Sequence, residues 1–238
     1  MPRLLTLLLA CLVLAVAGCG GDDEEQAAPA GTAEPAETAE PAATATPEDT
    51  GGEQGNGCEK AGKAKPKDAE FARPKRRLGA GKTYVATVKT NCGEFEITLD
   101  AERAPKTGGS FAFLAGKGFF DGLGFHRIVP GFVIQAGDPM GDGSGGPGYS
   151  VVEAPPEDLV YRKGIVAMAK TAIEDPGTSG SQFFVVTGDD AQLPPEYALL
   201  GEVTNGQDVV DLIGVAPVGP DEQPVEPIVM ESVTVEAR

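Results

Sequence analysis

The sequence predicts a mainly antiparallel β fold with two isolated helices, and three observations carry the prediction. Short alternating runs rich in β-branched and aromatic residues recur through the second two-thirds of the chain, Gly and Pro clusters punctuate them, and only two stretches have helical character. Tyr84-Val-Ala-Thr-Val-Lys-Thr stops at Asn91-Cys-Gly, and Glu94-Phe-Glu-Ile-Thr-Leu follows at once, so the pair reads as a β-hairpin. Ala104-Pro105 then opens a helix with Phe111 and Leu114 on one face, although Gly108 and Gly109 in its first turns each cost about 1 kcal/mol relative to Ala. Further strands are expected at 125–128, 133–135, 165–169, 182–187 and 199–203, a second short helix at 207–213, and a last strand at 228–235. Such an order argues for a closed or sandwiched antiparallel sheet.

Charge divides the 238 residues into distinct parts. Residues 20–57 carry ten acids and no base, 58–77 carry eight bases against three acids, and 78–238 carry ten bases against twenty-three acids. An acidic globular part repels phosphate backbones, which excludes nucleic acid as a partner. The basic stretch 58–77 reads as a solvated linker, with binding to anionic lipid or polymer as the alternative.

The N-terminus reads as an export signal. After Arg3, residues 4–17 form an unbroken apolar run, too short to span a membrane but suited to a signal peptide spanning 1–18. It ends in Val16-Ala17-Gly18-Cys19, which resembles a bacterial lipobox, with Cys19 as the lipidated first residue of the mature chain. Residues 19–57, without aromatic or bulky aliphatic side chains, cannot bury enough apolar surface to order themselves, and read as a disordered acidic tether. The expected location is therefore the outer face of a bacterial cell membrane. Cys58 and Cys92 remain after export, and in an oxidising setting they suggest a disulfide, the alternative being two free thiols.

Most motifs for bond-breaking chemistry are missing. Gly141, Gly143 and Gly146 match G-x-G-x-x-G, but Pro147-Gly148 follows where a dinucleotide site needs a helix. The only histidine, His126, sits in an apolar strand, so no multi-histidine metal site and no Ser-His-Asp triad is expected. No metal or cofactor is implied.

Two segments carry a resemblance. Residues 125–138, Phe-His-Arg-Ile-Val-Pro-Gly-Phe-Val-Ile-Gln-Ala-Gly-Asp, closely resemble the signature of the cyclophilin family, and 180–184, Gly-Ser-Gln-Phe-Phe, resemble its second hallmark. Pro105-Lys-Thr, Gly145-Gly-Pro-Gly-Tyr149 and Met168-Ala169 fall in the family's order, so the similarity runs from about Tyr84 to Val235.

The resemblance implies a closed eight-stranded antiparallel barrel capped by two helices, forming a domain over 78–238. It implies a peptidyl-prolyl cis/trans isomerase acting as a monomer on proline-containing polypeptides, or a non-catalytic peptide-binding holdase that keeps the pocket for docking. By position it makes Arg127, Gln135 and Phe132 catalytic, with Gln135 orienting Arg127. Val133, Ala169, Lys170, Gln182, Phe184, Leu193 and Tyr197 become substrate-binding. The chain departs from the animal-type pattern at Val133, Lys170, Gln192 and Tyr197, where Met, Asn, Trp and His are common, and the loop between Ala169 and Gln182 is longer. Loss of the Trp at position 192 implies weak inhibition by cyclosporin.

Overall fold

The computed structural model describes residues 57–68 and 70–238. The expected signal segment, Cys19 and nearly all of the acidic tether lie outside the described residues. Strands β1 (Tyr84–Thr90) and β2 (Gly93–Leu99) form the expected hairpin, in register from Tyr84↔Leu99 to Thr90↔Gly93. Helix α1 (Pro105–Ala115) starts at its proline, where a missing N–H costs nothing. The chain continues through β3 (Phe125–Val129), β4 (Val133–Ala136), β5 (Val151–Val152), β6 (Ile165–Met168), β7 (Thr178–Ser179), β8 (Phe183–Val186), β9 (Leu199–Asn205), α2 (Gln207–Gly214) and β10 (Met230–Ala237). The two-residue strands β5 and β7 were not expected, being too short for any alternation to show; they pair with each other.

The other eight strands form one antiparallel sheet in the order β10-β1-β2-β9-β6-β8-β4-β3. It curls into a half-barrel. At the seam, Gly124 bridges Val229, Phe125 N donates to Ile228 O at 2.9 Å and Met230 N to Leu123 O at 2.8 Å. Eight strands and two helices match the expectation, but these few bonds, not a full β3–β10 ladder, join the two edges.

The central strands are apolar on both faces. In β8, Phe183 and Val185 join the main core, where α1 contributes Phe111 and Leu114 and α2 contributes Val210 and Ile213. Phe184 and Val186 point the other way, into a second apolar cluster with Val133, Ile165, Ala167, Leu199 and Tyr161. Strict alternation of side chains therefore produces continuous hydrophobic runs wherever both faces are covered.

The basic stretch is not a solvated linker. Cys58 is bridged to Cys92, closing a separation of 34 residues, which loop-closure entropy values at about 3–4 kcal/mol. Lys67 donates to the carbonyls of Gly118, Phe119 and Asp121, and Phe71 N donates to Pro147 O at 2.9 Å. The Phe71 ring meets Phe113 and Phe119 edge-on, each at 6.0 Å. Leu78, 5% exposed, closes the strap onto α1 with Leu78 N bonded to Pro105 O at 2.9 Å.

This strap explains the two helical glycines. A Cβ on Gly108 would lie 2.5 Å from Leu78 Cδ1, and one on Gly109 would lie 2.5 Å from Arg76 O. The propensity cost of glycine in α1 admits a chain that no side chain would let approach.

Candidate active site

A row of in-register partners crosses three strands and a fourth: Arg127 on β3 faces Gln135 on β4, Gln135 faces Phe184 on β8, and Phe184 faces Ala167 on β6. All lie on the outer face of the sheet, away from the main core. Arg127 reaches that face through a bulge. Phe125 pairs with Ala136 and Arg127 with Gln135, so His126 is an extra residue; in a regular strand, period-two alternation would send Arg127 to the side of buried Phe125.

Around this row lies a cavity of about 210 Å³ lined by Arg127, Phe132, Val133, Gln135, Ala169, Lys170, Phe184, Leu193 and Tyr197. The structure thus brings together every residue assigned above to catalysis or substrate except Gln182. Gln182 lines an adjoining cavity of about 520 Å³ that shares Gln135, Ala169 and Lys170 and is walled by the glycine-rich loop 143–150. That loop is clamped at its start. Gln182 Nε2 donates to the carbonyls of Gly143 and Gly145, each at 2.9 Å, while buried Asp138 accepts from Met140 N at 2.8 Å and Gly143 N at 2.5 Å.

No hydrogen bond joins Arg127 to Gln135 among the described residues. Gln135 Nε2 donates to Gln182 Oε1 at 3.0 Å, so it holds the cavity wall. Arg127 Nε instead donates to Glu222 Oε2 at 2.6 Å across 95 residues of sequence. Glu222 is held in turn, because Ile128 N donates to its carbonyl at 2.8 Å and its φ of 62° is a strained left-handed value for a non-glycine residue. This use of Nε leaves the two terminal amino groups of Arg127 without a hydrogen bond among the described residues. Nothing in the local sequence Pro220-Asp-Glu-Gln marks Glu222 for this role.

Lys170 has only 4% of its side chain exposed. Its Nζ lies 3.4 Å from Glu196 Oε2, donates to Thr171 O at 3.3 Å and Glu174 O at 3.2 Å, and stands 5.6 Å from the Tyr197 ring centre. The ammonium therefore braces the longer loop and the pocket rim. Tyr197 packs edge-on against Phe184 with ring centres 5.5 Å apart.

Beneath it, Tyr161, missed by sequence reasoning, donates to Tyr197 O at 2.7 Å and accepts from Tyr197 N at 3.0 Å. Burial pushes the Tyr161 hydroxyl up to about 12, so it stays protonated and able to donate. Gln192, at φ 51°, is exposed and does not line the cavity.

His126 faces away from the pocket, towards the seam, and neither ring nitrogen has a hydrogen-bond partner among the described residues. Burial holds its pKa below the ordinary imidazole value, against the opposing pull of Asp138. No group of three or more His, Cys, Asp or Glu among the described residues is placed to hold a metal ion.

Residues 85–235 match the family described as cyclophilin type peptidyl-prolyl cis-trans isomerase/CLD. Over 172 residues the chain is 41% identical to peptidyl-prolyl cis-trans isomerase B of Streptomyces anulatus, covering 64% of this chain and 97% of the relative. It is 37% identical over 168 residues to a probable peptidyl-prolyl cis-trans isomerase A of Mycobacterium leprae, covering 63% and 91%. Among solved structures, a cyclophilin type peptidyl-prolyl cis-trans isomerase of Cryptosporidium parvum superposes with a TM-score of 0.61 at 30% identity, over 66% of this chain and 99% of that one.

Proposed function

The chain belongs to the cyclophilin-type peptidyl-prolyl cis/trans isomerase family and is such an isomerase, and from that premise we propose that Arg127, aimed by Glu222 over the apolar pocket, carries its catalysis. Rotating an Xaa-Pro bond breaks amide resonance against a barrier of about 18–20 kcal/mol, and no covalent bond changes. The twisted state differs from either planar state chiefly in its nitrogen, which regains a lone pair and accepts a hydrogen bond. A group that donates there stabilises the transition state more than the ground state, which is what accelerates the step. A thousandfold acceleration requires about 4 kcal/mol of such a difference, within the range of a charge-assisted hydrogen bond in a water-poor site.

The single observation that carries this reading is the disposition of the guanidinium. Its Nε edge is taken by Glu222, its other amino groups have no hydrogen bond among the described residues, and Arg127 lines a cavity with Phe132, Val133, Phe184 and Leu193. The apolar floor takes the pyrrolidine ring, Ala169 and the Lys170 backbone flank the residue before it, and Gln182 borders the next position. Arginine suits the task because it stays protonated throughout the working pH range. In a protease-coupled assay on a short Xaa-Pro peptide, the wild type accelerates isomerisation and Arg127→Ala loses on the order of a hundredfold or more in kcat/KM. Full activity in the variant would overturn the role of Arg127.

The setting we infer is the outer face of a bacterial cell membrane, with the enzyme held by lipid on Cys19 and acting on exported proteins as they fold. The apolar run before Val16-Ala17-Gly18-Cys19 supports this reading, as does the Cys58–Cys92 disulfide, a bond suited to oxidising compartments. No helix among the described residues is long and apolar enough to cross a membrane. Cys19→Ala is expected to move the protein from the membrane fraction to the medium; retention in the membrane would refute lipid anchoring.

A further inference from the structure

Where the strap crosses the start of α1 it forms a groove of about 390 Å³ whose chemistry is the reverse of the proline pocket's. Five cations surround it, Arg73, Lys75, Arg76, Arg77 and Lys106, over a floor of Pro74, Val151 and Val152. No carboxylate lines it, and none of the five makes an ion pair among the described residues. The acid next in sequence to the floor, Glu153, is engaged elsewhere. It accepts from Lys106 N at 3.0 Å and Thr107 N at 2.8 Å, where the positive end of the helix dipole absorbs its charge.

The groove is preformed. A Cβ on Gly109 would lie 2.8 Å from Arg77 Cα, so the backbone carrying Arg76 and Arg77 rests directly on the helix. Five like charges, four on this backbone and Lys106 on the helix beneath it, repel one another. On a domain whose residues 78–238 hold twenty-three acids and ten bases, the groove is a local well for negative charge.

Its position connects it to the active site. Loop residues 145–150 line the cavity that adjoins the proline pocket, and Val151 and Val152, which floor the groove, follow Ser150 without a break. The strap touches the same segment at Phe71 N and Pro147 O, two residues before Arg73.

We propose that the groove binds an acidic segment of the substrate polypeptide lying on the N-terminal side of the target proline. The enzyme would thereby prefer clients in which Asp or Glu residues precede the Xaa-Pro bond by several positions. This rests on the proline-pocket reading above, because the residue before proline is placed beside Ala169 and Lys170, at the mouth of the adjoining cavity. The apolar floor favours a polypeptide over a phosphate polymer. Val152 is 54% exposed, and a chain mixing acidic and apolar residues covers it where a bare polyanion cannot.

The test compares three peptides around one Xaa-Pro bond: a neutral one, one with an Asp/Glu block several residues before the proline, and one with the block after it. The full chain is assayed at low and high salt, with the wild type and with Arg73→Gln/Lys75→Gln/Arg76→Gln/Arg77→Gln. The N-terminal block is expected to raise kcat/KM on the order of tenfold at low salt, mainly through KM, the sum of several modest exposed ion pairs. The gain should vanish at high salt and in the quadruple variant, while the neutral peptide is turned over equally by both proteins. An equal gain from the C-terminal block would overturn the proposal. So would no gain from either block, or a gain from the N-terminal block as large in the quadruple variant as in the wild type. Loss of turnover on the neutral peptide in the wild type would instead refute the catalytic reading, so the two failures are distinct.

Discussion

The floor of the cavity rests on β4, β6 and β8, whose side chains interlock on both faces of the sheet, whereas its polar rim is tied to loops that meet it only in the folded chain. Floor residues Val133 and Phe184 are at most 4% exposed and share one apolar cluster with Ala167. Rim residues Arg127, Lys170 and Tyr197 are each held by polar bonds to a distant loop or residue: Glu222, Glu196 and Tyr161 respectively. A floor of this kind shapes what enters the pocket, and packing resists its change. A rim of this kind is held by individual polar bonds. Substitutions in the floor should therefore damage stability and binding together, while those in the rim should separate turnover from folding.

The largest expected effect is Phe184→Ala. Removing a buried phenyl ring costs about 3–5 kcal/mol of stability, and the lost ring surface should raise KM for Xaa-Pro peptides. Chemical denaturation with peptide kinetics would show both; a raised KM at unchanged stability would mean that the floor is not part of the packed structure.

Next comes the rim. Glu222→Ala should lower kcat/KM on the order of tenfold through loss of one charge-assisted hydrogen bond, with little change in stability, since the pair is half-exposed. Glu222→Gly sharpens the contrast, because it relaxes the left-handed backbone at φ 62° while also removing the carboxylate. It should be as stable as wild type or more so, yet equally slow; wild-type turnover in Glu222→Gly would show that Arg127 needs no such partner.

A smaller effect on turnover is expected for Tyr161→Phe. The hydroxyl both donates to and accepts from the Tyr197 backbone, and its loss leaves two half-buried groups without that partner, at about 1 kcal/mol of stability. The change should appear as lower stability and a modestly raised KM, with kcat retained; a fall in kcat alone would contradict it.

The smallest effect concerns the bulge behind the floor. His126 has a folded pKa below its ordinary 6.5, so the unfolded chain takes up its proton more readily. Stability present above pH 6.5 is therefore lost as pH falls through the folded value. The nearby charges are Asp138 and Asp142, which oppose the shift, and Arg127, which adds to it. Melting temperatures from pH 8 to 5 should fall less steeply for His126→Gln than for wild type; parallel curves would place the acid sensitivity elsewhere.

Much of this was legible in residue order, and the misses have physical causes. The hairpin of β1 and β2 was readable because its alternation repeats over seven residues in each strand, whereas β5 and β7 span two residues each and hold no period. The contiguous motif 125–138 and the hallmark 180–184 located the pocket, because neighbouring positions on paired strands stay neighbours in space. Glu222 and Tyr161 carry no such signature, since a charged loop residue and an isolated tyrosine look alike whether they hold a rim or face solvent. The strap was misjudged for a related reason. Its many cations suggest a solvated chain, and the features that fasten it, Phe71, Lys67 and Leu78, are spread singly among them.

By itself the sequence determined the order of the two helices and the eight strands of the main sheet, the apolar face of α1, the pairing candidates Cys58 and Cys92, and the set of residues at the pocket. These follow from local periodicity and from motifs read along the chain. Tertiary structure alone decided that Gly108 and Gly109 admit the strap, that Glu222 and not Gln135 pairs with Arg127, and that a bulge at His126 turns Arg127 out of the core. Each is a matter of which surfaces approach one another across long stretches of chain, and no pattern of neighbouring residues encodes that distance.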